Sequence, residues 1–250
     1  MSLIADYLEK ITEHLSLIRD EEEERIQEAA SLMAEQILQD KLVYVWGPGG
    51  HSNMGSMEMF YRAGSLMHVS AILDGGSMMT GGALRSTAIE RLPGYGRIVI
   101  QDNGIKSGDL LIIANSYGIN SACIEAALTC REIGAVTIGV TSVAHALSVS
   151  PDHKARHPSG ENLYSACDRY IDTKIVSGDA VVDVEGIPQK MGAMSTFANA
   201  YVLNCLLMET GAILGKTGIE VPIWRSANAA GGDEWNNKFI EKFKGRVRWL

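Results

Sequence analysis

A chain of 250 residues with a formal charge of −8 lacks the basic surplus that neutralises nucleic-acid phosphates. Hydrophobic residues at 46% and charged residues at 21% are ordinary globular values. The length suits one α/β domain over residues 1–250, divided into a helical extension (1–40), an α/β core (41–215) and a tail (216–250).

The N-terminus is acidic and mixed, and no apolar run approaches the roughly 20 residues of a membrane helix, so the expected setting is cytoplasmic, with no membrane and no nucleic-acid partner. The four cysteines, Cys123, Cys130, Cys167 and Cys205, form no CxxC pair and read as reduced thiols. No metal site and no cofactor motif is visible.

In chain order, Leu3, Ile4, Tyr7, Leu8, Ile11, Leu15 and Ile18 follow helical spacing. Asp20, followed by Glu21 to Glu24, reads as the N-cap of a second helix reaching Gln39, with Ile26, Ala29, Ala30, Met33, Ile37 and Leu38 inside. Two helices are therefore expected before any strand, as a cap on the core or as an association surface. Strand candidates follow at Leu42–Trp46, His68–Leu73, Ile98–Gln101, Leu110–Ala114, Val136–Val140 and Tyr170–Asp172. Helices are expected over about Asn120–Ile133, closed by Gly134, and Ser195–Leu214. Residues 74–97 and 150–162 resist assignment, and long irregular stretches in a compact domain are often functional.

Short apolar strands alternating with helices indicate an α/β, three-layer αβα sandwich around a five-stranded, mainly parallel sheet. Ligands of such sheets bind beyond the carboxyl ends of the strands, which directs attention to four loops.

The first loop, Gly47 to Asn53, holds Gly49, Gly50, His51 and Ser52. It suits close backbone approach to a ligand, or simply a tight turn. It matches neither the GxGxxG nor the Walker pattern. The second holds Asn115, Ser116, Tyr117, Gly118 and Asn120, a phosphate cradle or a polar turn. The third is Thr141-Ser142. The fourth is Ser195-Thr196, opening the long helix. Each of the last two is also a plausible cap.

These loops, with Gly139-Val140-Thr141-Ser142, resemble the SIS (sugar isomerase) domain family over about residues 30–215. That family includes phosphoheptose isomerase, arabinose-5-phosphate isomerase, the isomerase half of glucosamine-6-phosphate synthase and N-acetylmuramic acid 6-phosphate etherase. The segments His51-Ser52, Phe60-Tyr61-Arg62-Ala63-Gly64, Arg156-His157-Pro158-Ser159-Gly160, Gly178-Asp179-Ala180 and Ser226-Ala227-Asn228 look more closely like the uncharacterised UPF0309 group.

The resemblance implies a flavodoxin-like SIS fold. It implies a sugar phosphate held by Gly49, Gly50, Ser52, Asn115, Ser116, Gly118, Asn120, Thr141, Ser142, Ser195 and Thr196. It also implies a homodimer or homotetramer. The sequence departs from the family's Ser-x-Ser-Gly-x-Thr/Ser loop, with Asn115, Tyr117 and Asn120 where hydroxyls are usual.

The expected activity is binding of a phosphorylated sugar, with aldose–ketose isomerisation as the leading chemistry. A non-catalytic sensor and a lyase or etherase are the alternatives. Isomerisation needs a base to move a proton between adjacent carbons and an acid to assist. Glu58, six residues past Ser52 and one helical turn before Arg62, is a candidate base or half of a surface ion pair. His51, inside the first loop, is a second, since imidazole exchanges protons near neutrality. His157 is a possible acid. His145, His153 and His157 cluster in and before the irregular segment, and His153, Arg156 and His157 suggest a lid over an anionic ligand or a subunit contact. They also suggest a metal site that lacks a third ligand. Asp179 reads as a polar anchor.

Overall fold

The computed structural model describes residues 2–250. One helix, α1 (Leu3–Leu38), replaces the two expected at the N-terminus; it is 36 residues long and capped by Ser2, whose hydroxyl accepts from the Ala5 N–H at 3.2 Å. No glycine or proline interrupts this stretch, and glutamate is a good helix former, so the acidic run continues the helix. Glu22 is buried mid-helix, where it meets Lys174 Nζ at 2.6 Å and accepts from the Asp172 N–H at 3.1 Å. Asp20, expected as a cap, pairs on the surface with Arg19.

The sheet has five parallel strands in the order β2-β1-β3-β4-β5: β1 (Val43–Trp46), β2 (Val69–Ala71), β3 (Leu110–Ala114), β4 (Val136–Thr141) and β5 (Arg169–Asp172). Strand alternation divides the core in two. Val43, Val45, Leu110 and Ile112 face α1 and α8 (Ser195–Gly215), with Met59 of α2 (Asn53–Met59) on the same side. Leu111 and Ile113 face α4 (Tyr95–Asp102), α5 (Ser121–Ile133) and α7 (Leu163–Ala166).

Ile98–Gln101, expected as a strand, lies in α4. Gly94 starts this helix in the left-handed conformation, and Gly96 abuts the Ala122 backbone of α5. Val99 and Ile100 are buried while Ile98 is exposed, a one-sided burial that suits a helix.

The unassigned stretch 74–97 holds a 3₁₀ turn (Met79–Gly81) and α3 (Ala83–Glu90) as well as the start of α4. After β4 comes α6 (Val143–Ser148). An antiparallel hairpin absent from the sequence reading, β6 (Ala180–Val184) with β7 (Ile187–Ala193), precedes α8. The tail carries α9 (Gly232–Phe243), and Phe243 and Trp224 close a small core with Leu42 and Met67.

By length and composition α8 passes for a membrane span, contrary to the sequence expectation. Val202, Leu203, Leu206 and Leu207 are instead buried in the α1 side of the core. Cys123 and Cys130 are free and buried on α5, and burial pushes both thiols up to about 12.

Candidate functional site

A cleft of about 440 Å³ lies beyond the carboxyl ends of β1 and β3. It gathers Gly49, Gly50, His51, Ser52, Asn115, Ser116, Asn120, Ser195 and Thr196 from three of the four expected loops. The glycine loop is held by its neighbours. The Gly50 N–H donates to Ser86 Oγ at 3.1 Å, and that hydroxyl donates to Ser77 O at 2.6 Å. Asn53 Nδ2 donates to Gly49 O and Ser77 O at 3.1 and 3.2 Å. Ser52 precedes α2 without a side-chain cap bond, so its hydroxyl is open to the cleft apart from Asn115 Nδ2 at 3.4 Å.

The second loop is shaped by its amide residues. Asn115 Nδ2 donates to Pro48 O, and Asn115 Oδ1 accepts from the Gly118 N–H, both at 2.8 Å. Gly118 has φ +60, and a Cβ there would collide with Thr141 Oγ1. Asn120 precedes α5, but its amide donates to Ala155 O at 3.0 Å and not to its own helix. Ser116 Oγ accepts from Asn199 Nδ2 at 3.0 Å, while Asn199 Oδ1 is buried with no partner.

The start of α8 is already occupied by an anion from the chain itself. Asp179, at φ 63, accepts from the Met194 and Ser195 N–H groups at 3.0 and 2.7 Å and from Ser195 Oγ at 2.7 Å. A carboxylate satisfies a positive helix end well. The Ser195 hydroxyl, expected to hold phosphate, is therefore engaged by Asp179. Thr196 faces the cleft beside it.

Not every expected residue reaches the cleft. Thr141 is fully buried beneath Gly118, and Ser142 caps α6 through His145 N and donates to Ile175 O. Glu58 lies on the α2–α8 face, where Asn204 Nδ2 at 2.9 Å and Arg62 Nε at 3.0 Å hold its carboxylate. His157 sits 3.6 Å from Glu125, and its Nδ1 meets Ser159 Oγ at 2.8 Å. Of the three expected acid–base residues, only His51 lines the cleft.

The structure brings in residues that the sequence reading did not nominate: Ser86, Thr87, Glu90 and Asn199. Glu90 ends α3 and packs its carboxylate against Gly49, where φ is +99 and a Cβ would run into Glu90 Oε2. Burial raises its pKa, only partly opposed by Arg91. Ser86, Thr87 and Glu90 lie in the irregular segment 74–97, and Asn199 lies one turn into α8 after Ser195-Thr196. Tyr117 also lines the cleft; burial, then the charges of Asp179 and Glu90, raise its pKa. Among the described residues, no group of three or more His, Cys, Asp or Glu side chains could hold a metal ion.

A sheet of this order, with its cleft at the strand ends and a serine- and amide-lined loop after β3, defines an SIS-type α/β protein. The chain belongs to the SIS domain family, whose model matches residues 6–142. Its full-length relatives are UPF0309 proteins. That of Oceanobacillus iheyensis is 32% identical over 100% of both chains. That of Geobacillus kaustophilus is 34% identical over 98% of this chain and 96% of the relative. That of Brucella canis is 35% identical over 98% of each. The fold is similar to a phosphoheptose isomerase from Francisella tularensis, with TM-score 0.51 and 14% identity, covering 84% of this chain and 96% of that one. It is also similar to a phosphoheptose isomerase from Neisseria gonorrhoeae, with TM-score 0.52 and 13% identity, covering 85% and 97%.

Proposed function

We propose that the chain binds a phosphorylated sugar in the main cleft and interconverts its aldose and ketose forms. The observation that carries this reading is a cleft lined by hydroxyls and amides that also holds Glu90 and His51. Glu90 Oε2 takes the proton from the carbon next to the sugar carbonyl and returns it to the neighbouring carbon. Burial makes this carboxylate more basic, the direction such a step needs. The His51 imidazole gives a proton to the carbonyl oxygen as the enediol forms, and takes one from the hydroxyl of the neighbouring carbon as that carbon becomes the new carbonyl. The Ser52, Ser116 and Thr196 hydroxyls orient the sugar.

A second reading, binding without turnover, is favoured by Asn115 and Asn120, whose amides are both engaged by the protein's own backbone. A panel of hexose, heptose and amino-sugar phosphates, followed by NMR in deuterated water, separates the two. Turnover with deuterium at the carbon beside the carbonyl supports isomerisation. Thermal stabilisation with no exchange leaves the sensor. Release of lactate or another leaving group would indicate a lyase.

Homo-oligomerisation belongs to the same proposal and is supported by the apolar residues Leu3, Ile4 and Leu8 exposed along the first turns of α1. Light scattering after size exclusion tests it, and a monomer at micromolar concentration would contradict it.

A further inference from the structure

Behind Tyr117 lies a second cavity, of about 400 Å³, which shares Glu90, Tyr117 and Asn120 with the main cleft. The two chambers differ in charge. The main cleft has Glu90 and Asp179 and no lysine or arginine in its lining. The second adds Arg91, His145 and His153, with the hydroxyls of Ser148 and Ser150.

Arg91 and His145 line this chamber from two separate parts of the chain. His145 is only 7% exposed, and its ring is stacked on Tyr117 at 4.0 Å and 19°.

The chamber is built from fixed parts. Arg156 binds the carbonyls of Ala146, Val149 and Ser150 and the side chain of Asn162, which pins the 150–162 segment to α6. Asn120 holds the same segment through Ala155 O. The segment expected as a lid is thus tied down as a wall, and His153 lines it.

We propose that this chamber holds the anionic end of the ligand, a phosphate or carboxylate group, against Arg91, His145 and His153. The inference rests on the sugar-phosphate reading for what fills the main cleft. A guanidinium keeps its charge at any working pH and binds phosphate oxygens through a planar fork. Asp179 lines the main cleft and not the second chamber, and it already occupies the start of α8. The bulky Tyr117, standing where the family places a small hydroxyl, is then the partition along which the ligand passes from one chamber to the other.

The test is titration of the full chain with inorganic phosphate and with hexose phosphates, followed by calorimetry. The variants are Arg91→Met, Arg91→Lys, His145→Asn and Ser116→Ala. Inorganic phosphate is expected to compete with the hexose phosphates. Arg91→Met should weaken both about tenfold or more, with Arg91→Lys between it and the wild type. Ser116→Ala should weaken the sugar phosphate and spare inorganic phosphate.

Phosphate binding that survives Arg91→Met and His145→Asn but is lost in Ser116→Ala would overturn the inference and leave the sugar-phosphate reading standing. Simultaneous binding of inorganic phosphate and hexose phosphate, or no binding of inorganic phosphate, would also overturn it. Inorganic phosphate bound through Arg91, with no hexose phosphate binding more tightly, would instead break the reading of the main cleft. Arg91 is only partly buried, so its variants report even if His145→Asn does not fold.

Discussion

Helices α2 and α3 each carry one glutamate near the glycine loop, and the two differ in what surrounds them. Glu58 on α2 is answered by Arg62 and Asn204 and faces away from the cleft. Glu90 at the end of α3 lies against Gly49, and its pKa is raised by burial. Desolvation makes a carboxylate a stronger base, and at Glu90 it outweighs the opposing charge of Arg91. Proximity in sequence to the glycine loop nominated the first, while the chain path through residues 74–90 delivers the second.

The comparison breaks most visibly on substitution. Glu90→Gln should lower turnover of any substrate found by about 10²–10⁴. Glu58→Gln should leave it within a few fold while raising sensitivity to denaturant slightly. Equal losses in both would show that the α2–α8 face also takes part. Gly49→Ala is next: its Cβ would strike Glu90 Oε2 at a backbone angle that disfavours side chains, so a loss of about 1–3 kcal/mol is expected by chemical denaturation. Turnover should fall with it, because the carboxylate is displaced.

Asp179→Ala removes the acceptor for two N–H groups and one hydroxyl at the start of α8, a loss of about 1–2 kcal/mol. If instead a phosphate normally replaces Asp179 there, this variant would bind inorganic phosphate more tightly than the wild type.

The smallest effect concerns burial away from the cleft. His68, packed edge-on against Phe243, has its pKa lowered from 6.5 to about 4 by burial, with Asp40 opposing. The unfolded chain therefore binds a proton over this range that the folded chain does not. Stability is complete above about pH 6.5 and falls as pH drops toward about 4, by about 1–3 kcal/mol. Denaturation midpoints at pH 7 and 4.5 should show a steeper fall in the wild type than in His68→Asn. The difference between the two proteins isolates His68 from Glu90, whose raised pKa acts in the opposite sense. Parallel slopes would contradict the assignment.

The sheet was legible because its strands are short apolar runs bounded by polar loops, and Leu110–Ala114 could be nothing else. Most of the cleft followed, since parallel strands bring their following loops to one edge. Three features escaped for physical reasons. Asp20 and its glutamates make a good helix start, but they make an equally good helix interior, and only the buried Glu22, paired with Lys174, shows which. Ile98–Gln101 is apolar enough for a strand, and its helical state depends on packing against α5. Glu90 carries no local pattern at all: its role depends on the glycine across from it, 41 positions earlier in the chain.

The most direct test is a crystal structure of Glu90→Gln with a hexose phosphate bound. The sugar carbons should lie between His51 and position 90, with the phosphate beyond Tyr117 against Arg91 and His145. A sugar phosphate seated on the α2–α8 face against Glu58, with the main cleft empty, would contradict the account.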